Sequence, residues 1–191
     1  MQRVRHRPAD AGFSMVEMLM VVALIGIVSA AVVLVTPVAL PGMRADGSTR
    51  LLTSLLRRAK ERAVSERRDM SMVIASPREV QVFRLPTQAG AQPTLVDSTV
   101  LENGLRISLT PGVPDTPDGF GNAAGADFGG ANAMIFRAEG IFTDQNANLD
   151  PLNGTFFLSI RGEPLTARAV TIFGPTALIR SFRWDGLRWV N

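Results

Sequence analysis

The chain has 191 residues, with 20 basic and 17 acidic side chains, one histidine and no cysteine or tyrosine, for a formal charge of +3. A pI near 10.8 overstates its basicity, because almost nothing titrates between histidine and arginine. The absence of cysteine excludes disulfides and thiolate metal sites, composition makes no case for nucleic-acid binding, and the length suits one compact domain plus an anchor.

Arg3, Arg5 and Arg7 precede Gly12-Phe13-Ser14-Met15-Val16-Glu17, and no further charge follows until Arg44. Residues 18–35 form an apolar run of 18 residues, about 27 Å as a helix at ~1.5 Å per residue. Adding 13–16 brings it to spanning length. The arginines before it place the N-terminus in the cytoplasm. Glu17 at the lip of such a run is costly without a partner. An ordinary secretory signal would use the arginines as its n-region and Ser29-Ala30-Ala31 for cleavage. Yet the run continues past Ala31 to Val35, and an h-region has no use for a carboxylate where it begins.

Pro37, Pro41 and Gly42 are expected to kink or locally melt the helix, which then resumes near Asp46–Ser48 with Asp or Ser as its cap. Leu51, Leu52, Leu55, Leu56, Ala59, Ala63 and Val64 recur at helical spacing, with Arg50, Arg57, Arg58, Glu61, Arg62, Glu66 and Arg68 on the other side. This is an amphipathic helix whose leucine face needs cover. The interleaved Glu61 and Glu66 favour a solvated or subunit-facing charged side over a nucleic-acid surface.

From Met70 the period becomes two. Residues 70–75 and 80–85, joined at Ser76-Pro77-Arg78-Glu79, are predicted to form a hairpin. Further strands are predicted at 94–101, 105–109, 133–137, 155–161, 167–173 and 178–184. Residues 110–132, rich in Gly, Pro and Asp, are predicted as a long surface loop. Asp115, Asp118 and Asp127 within it match no EF-hand spacing. Asp185-Gly186 predicts a two-residue turn, pairing Trp184 with Leu187, Phe182 with Trp189, and Arg183 with Arg188. The first two pairs would line the core. The opposed arginines are unfavourable together; they either splay into water or await an acidic partner surface.

No catalytic constellation emerges. The one histidine, His6, precedes the apolar run, no cysteine nucleophile or phosphate loop is present, and a Ser-His-Asp set would have to draw on His6. No cofactor is implied.

The segment Gly12-Phe13, a hydroxyl, two apolar residues and Glu17 resembles the prepilin cleavage and methylation motif of type IV pilin-like proteins. The resemblance implies cleavage between Gly12 and Phe13 by a prepilin peptidase, followed by N-methylation of Phe13. Removing 1–12 takes away three arginines and one aspartate, leaving 17 basic and 16 acidic residues. The new α-amine at Phe13 is mostly charged at neutral pH, and in a filament it would meet Glu17 of a neighbour; the alternatives are pairing with its own amine or snorkelling to the interface. His6 would leave with the leader.

The rest of the chain resembles the H-type minor pseudopilins of type II secretion and the related FimT/FimU minor pilins (the GspH/FimT group). The resemblance rests on the helix and hairpin, on Ile135-Phe136-Arg137-Ala138-Glu139-Gly140, and on Arg168-Ala169-Val170-Thr171-Ile172 with the turn at Gly174. It implies an α+β pilin-like fold, a long N-terminal helix packed on an antiparallel sheet domain. The segments would be a leader (1–12), a transmembrane helix (13–43), an amphipathic helix (44–68) and a periplasmic β-rich domain (69–191). The implied role is structural and non-enzymatic: an inner-membrane, single-pass subunit near the tip of a periplasmic pseudopilus. Its partners would be the peptidase/N-methyltransferase, other major and minor pseudopilins, and the inner-membrane assembly platform. A type IV pilus minor pilin and a non-polymerising anchored binding domain are the alternatives. DNA uptake is disfavoured, because the Gly-Arg-x-Arg pattern of DNA-binding FimT members is here Ala177-Leu178-Ile179-Arg180.

Overall fold

The computed structural model describes residues 13–88, 90–102, 104–130, 134–144 and 150–191, and the backbone but not the side chains of 32–39. The chain divides into two compact units, one ending at Ala39 and the other Leu40–Asn191. A single helix, α1 (Met15–Glu66), contributes to both.

The expected interruption between 37 and 46 does not occur: α1 is helical throughout. A proline removes one i→i−4 bond, at a cost of about 3 kcal/mol, but it does not force termination when strongly helical sequence lies on both sides. Asp46 and Ser48 are therefore interior residues, not caps. Thr49 Oγ1 donates back to the Ala45 carbonyl at 2.7 Å. The helix ends with Arg67 in the left-handed region (φ 50°), and the Arg68 N–H closes on the Ala63 carbonyl at 3.1 Å.

Among the described residues eleven strands follow, all antiparallel. The first sheet contains β1 (Met70–Ser76), β2 (Glu79–Arg84), β3 (Thr94–Val100), β6 (Met134–Phe136) and β7 (Phe142–Asp144), in the order β3-β2-β1-β6-β7. The second contains β4 (Leu105–Ile107), β8 (Gly154–Ile160), β9 (Glu163–Phe173), β10 (Leu178–Trp184) and β11 (Trp189–Val190), in the order β11-β10-β9-β8-β4, with β5 (Ala126–Asp127) also on β8. The hairpin over 70–85 is present, with Ser76 opposite Glu79. Two short strands, β5 and β7, arise where no alternation announced them. Asn132 and Ala133, at the edges of an expected loop and strand, lie outside the described residues.

The leucine face of α1 is covered as its spacing requires. Leu52, Leu55, Leu56, Ala59 and Ala63 are buried with Met70, Met72 and Phe136 from the first sheet and Phe156, Val170 and Ile172 from the second. Burial of each leucine contributes about 1.5–3 kcal/mol. Leu51 and Val64 instead face outward. Phe128, Phe142 and Phe156 meet at centroid distances of 4.8–5.8 Å. Gly154 is required beside them: a Cβ there would stand 2.0 Å from the Phe128 ring.

Ion pairs fasten α1 to both sheets: Arg58 to Asp97 of β3, Glu66 to Arg84 of β2 and Asp46 to Arg168 of β9. Arg137 pairs with Asp69 at 2.9 Å, just past the helix end, and Asp69 also accepts the Ala138 N–H. Gly140 (φ 83°) closes the β6–β7 turn onto the Arg137 carbonyl. Arg168 in β9 is 3% exposed and reaches Asp46 at 2.6 Å. So the Ile135–Gly140 stretch holds an ion pair to the residue just past the helix, and the Arg168–Ile172 stretch one to α1 itself.

Candidate functional site

The N-terminal segment is built from its first turn. Phe13 and Ser14 precede the helix. The Ser14 hydroxyl accepts the Val16 N–H at 3.2 Å and its carbonyl accepts the Met18 N–H at 3.1 Å. Ser14 is thus the N-cap, satisfying a donor that the helix leaves open, and Glu17 falls at the third helical position, where a carboxylate complements the helix dipole. Glu17 is exposed. Gly12 and the rest of 1–12 lie outside the described residues.

Phe13 is 78% exposed, and Met15, Val16, Leu19, Val22, Leu24, Ile25, Ile27 and Val28 are all more than half exposed. Among the described residues no helix is long and apolar enough to cross a membrane. The last four residues of the expected run, 32–35, have side chains outside the described set.

The C-terminal hairpin corrects the sequence reading. Trp184 lies opposite Trp189 and Arg183 opposite Val190, so the turn is centred one residue later, on Gly186 and Leu187. The Asp185 carboxylate causes the shift. It accepts the Leu187 N–H at 2.8 Å and the Arg188 N–H at 2.7 Å, while the Asp185 N–H donates to the Arg188 carbonyl at 3.1 Å. The backbone bonds from Arg188 and Leu187 hold its carboxyl below the usual 3.8. The indoles of Trp184 and Trp189 meet edge to face at 5.5 Å, a better contact than Trp184 with Leu187, which is 90% exposed. Each partner moves by two positions, so Phe182, Trp184 and Trp189 keep one face. That face packs against Phe157, Ala167 and Val113, away from α1.

Arg183 and Arg188 are therefore not opposed. Arg188 lies in the turn, 3.7 Å from Asp185. Arg183 instead sits directly across from Arg168 in the β9–β10 ladder. A cleft of about 260 Å³ opens beside them, lined by Asp46, Arg50, Arg168, Ser181, Phe182 and Arg183 among others. Sequence reasoning read Asp46 as a cap and Arg168 only as part of a resembling stretch, and did not pair them. The available signal was an arginine in the middle of an otherwise apolar strand.

The three loop aspartates are held by internal partners. Asp115 accepts the Thr116 and Gly121 N–H groups, and Asp127 accepts those of Ala123 and Gly129. Asp118 takes the Thr171 hydroxyl at 2.6 Å and Arg180 at 2.8 Å.

Residues 7–33 match the model of the prokaryotic N-terminal methylation motif. A search of curated proteins returns no match. Among solved structures the chain is similar to the type IV minor pilin FimU of Pseudomonas aeruginosa. In one crystal form the identity is 17% over 71% of this chain and 90% of that one, with a TM-score of 0.46. In another it is 16% over 76% and 92%, with a TM-score of 0.49. It is also similar to the minor pseudopilin EpsH of the Vibrio cholerae type II secretion system, at 19% identity over 73% and 94%, with a TM-score of 0.46.

Proposed function

We propose that this protein is a pilin-like assembly subunit, cut between Gly12 and Phe13, N-methylated at Phe13 and anchored in the inner membrane by its N-terminal helix. The observation that carries the reading is the methylation motif over residues 7–33. Support comes from a first turn capped by Ser14 with Glu17 exposed, followed by a run of exposed apolar side chains. An exposed apolar helix needs lipid or neighbouring helices around it. In those surroundings an unpaired carboxylate is costly, and the amine released at Phe13 is the charge that matches it.

Mass spectrometry of the mature protein is expected to find N-methylphenylalanine at Phe13. A start after Ala31, or an intact Met1, overturns the reading. Glu17→Ala is expected to leave cleavage largely intact and to lower incorporation into filaments by about tenfold or more, the equivalent of about 1.4 kcal/mol.

Within this role we place the chain as a minor pseudopilin of a type II secretion system, working in the periplasmic pseudopilus. A type IV pilus minor pilin, taking part in pilus assembly or DNA uptake, is the second reading. Arg180 argues against DNA uptake, because that arginine is committed to Asp118 at 2.8 Å and stands alone where the DNA-binding pattern has two. A deletion strain is expected to lose protein export while keeping twitching motility and transformation; the reverse phenotype assigns the chain to a pilus.

A further inference from the structure

The cleft between α1 and the β9–β10 ladder concentrates positive charge in a way the fold does not need. Arg168 and Arg183 are directly opposed across the two strands, an arrangement that is unfavourable unless neutralised. Asp46 neutralises only one of them. Its Oδ1 receives the Arg168 Nε at 2.6 Å. The remaining Arg168 contacts go to backbone carbonyls: Nη1 to Leu165 and Ala167, Nη2 to Gly42. Its guanidinium is fixed and 3% exposed, a standing charge in the cleft wall.

Arg50 lies one turn beyond Asp46 on α1 and lines the same cleft. Arg50 and Arg183 are both exposed, and among the described residues neither is paired with a side-chain carboxylate in the cleft. Three guanidinium groups therefore face one side-chain carboxylate, with Asn191 also in the lining. Val190, opposite Arg183 in the ladder, gives the cleft an apolar wall, suited to the stem of an inserted side chain. Asp46, 36% exposed, repels an incoming anion in proportion to its charge, which favours a monoanion over a doubly charged phosphate.

We propose that this cleft receives one carboxylate side chain, Asp or Glu, from a neighbouring protein subunit, with Arg50 and Arg183 as its direct ligands and Arg168 as the fixed charge behind them. The proposal rests on the assembly reading above. It also replaces the Arg183–Arg188 surface expected from sequence: Arg188 is engaged with Asp185 outside the cleft, and Arg50 takes its place.

The single lysine of the chain, Lys60, makes a clean test possible. In a Lys60→Arg background, Arg183→Lys or Arg50→Lys keeps the charge and introduces one side-chain amine. Arg57→Lys, on an exposed stretch of α1, is the control. Full-length protein is treated in intact cells with a carbodiimide, which joins an amine to a carboxylate in contact with it, and the linked peptides are sequenced by mass spectrometry. The expected result is an amide from position 183 or 50 to an Asp or Glu of another protein chain, at least about fivefold more abundant than from position 57.

Links only to Asp46 or to other groups of the same chain, equal yields at position 57, or no link at all overturn the proposal. Binding of full-length protein in detergent to phosphatidylglycerol vesicles that depends on Arg50 and Arg183, without such a link, also overturns it and assigns the cleft to a phosphate headgroup. The mature N-terminus is read in the same spectra. N-methyl-Phe13 without the link defeats the cleft alone, whereas the link without N-methyl-Phe13 supports the cleft and defeats the assembly reading.

Discussion

Arg168 shows how much of this domain hangs on one buried cation. Its planar fork of five donors joins α1 to β9 through Asp46 and the Gly42 carbonyl, a geometry that the point charge of lysine does not reproduce. Arg168→Ala removes the buried charge itself and strands the Gly42, Leu165 and Ala167 carbonyls, so it is expected to lose about 2–3 kcal/mol in urea unfolding. Asp46→Asn should cost less, about 1–2 kcal/mol, because the side chain is 36% exposed and the amide oxygen still accepts. The double variant is expected to lose at least about 1 kcal/mol less than the sum of the two; strict additivity would falsify the coupling. The sequence displayed Arg168 within a recurring stretch, but its partner lies 122 positions away, and no local period encodes that distance. The Ser14–Glu17 spacing was legible because it is local: the cap and the carboxylate belong to one helical turn.

At the scale of elements, legibility followed the length of the periodic pattern. The leucine face of α1 and the strands over 70–84 and 178–184 lie where alternation or helical spacing put them. The failures fall where two local rules compete. Proline-rich sequence around 37–42 argued for a break, yet cooperative helix on both sides continued through it. Asp185-Gly186 argued for one turn, and the Asp185 side chain selected the next. That side chain also makes the hairpin sensitive to acid. The Arg188 and Leu187 N–H bonds, with burial opposing and the charges of Arg188 and Arg183 assisting, lower its carboxyl below 3.8. A depressed carboxylate stabilises the fold fully above its unfolded value and ceases to do so as pH falls through the folded one. The hairpin contribution is therefore expected to hold at neutral pH and to fade below about pH 4. The chain has only two tryptophans, and both lie in this hairpin in edge-to-face contact. Their near-ultraviolet circular dichroism should report the loss directly. Asp185→Ala should weaken that signal at neutral pH and remove this step in its acid dependence; a step unchanged by the substitution assigns the transition elsewhere.

For the whole molecule, the decisive boundary lies inside a continuous helix. Every buried hydrophobic cluster and every ion pair among the described residues falls within Leu40–Asn191, while the apolar side chains of 13–31 are exposed throughout. A fragment beginning at Leu40 is expected to remain soluble without detergent and to unfold cooperatively in urea. A fragment beginning at Arg50 begins with intact helical sequence too, and on propensity alone should behave the same. It lacks the Gly42 carbonyl, buried Ala45 and Asp46, however, so Arg168 would be left buried without its carboxylate. That loss, about 3–5 kcal/mol, is a large part of the ~5–15 kcal/mol that holds a domain folded. The shorter fragment should unfold at markedly lower urea, with the tryptophan signal of the hairpin following the same transition. Equal midpoints for the two fragments would mean that the segment before Arg50 belongs to the anchor alone, and that Asp46 is not what keeps Arg168 in place.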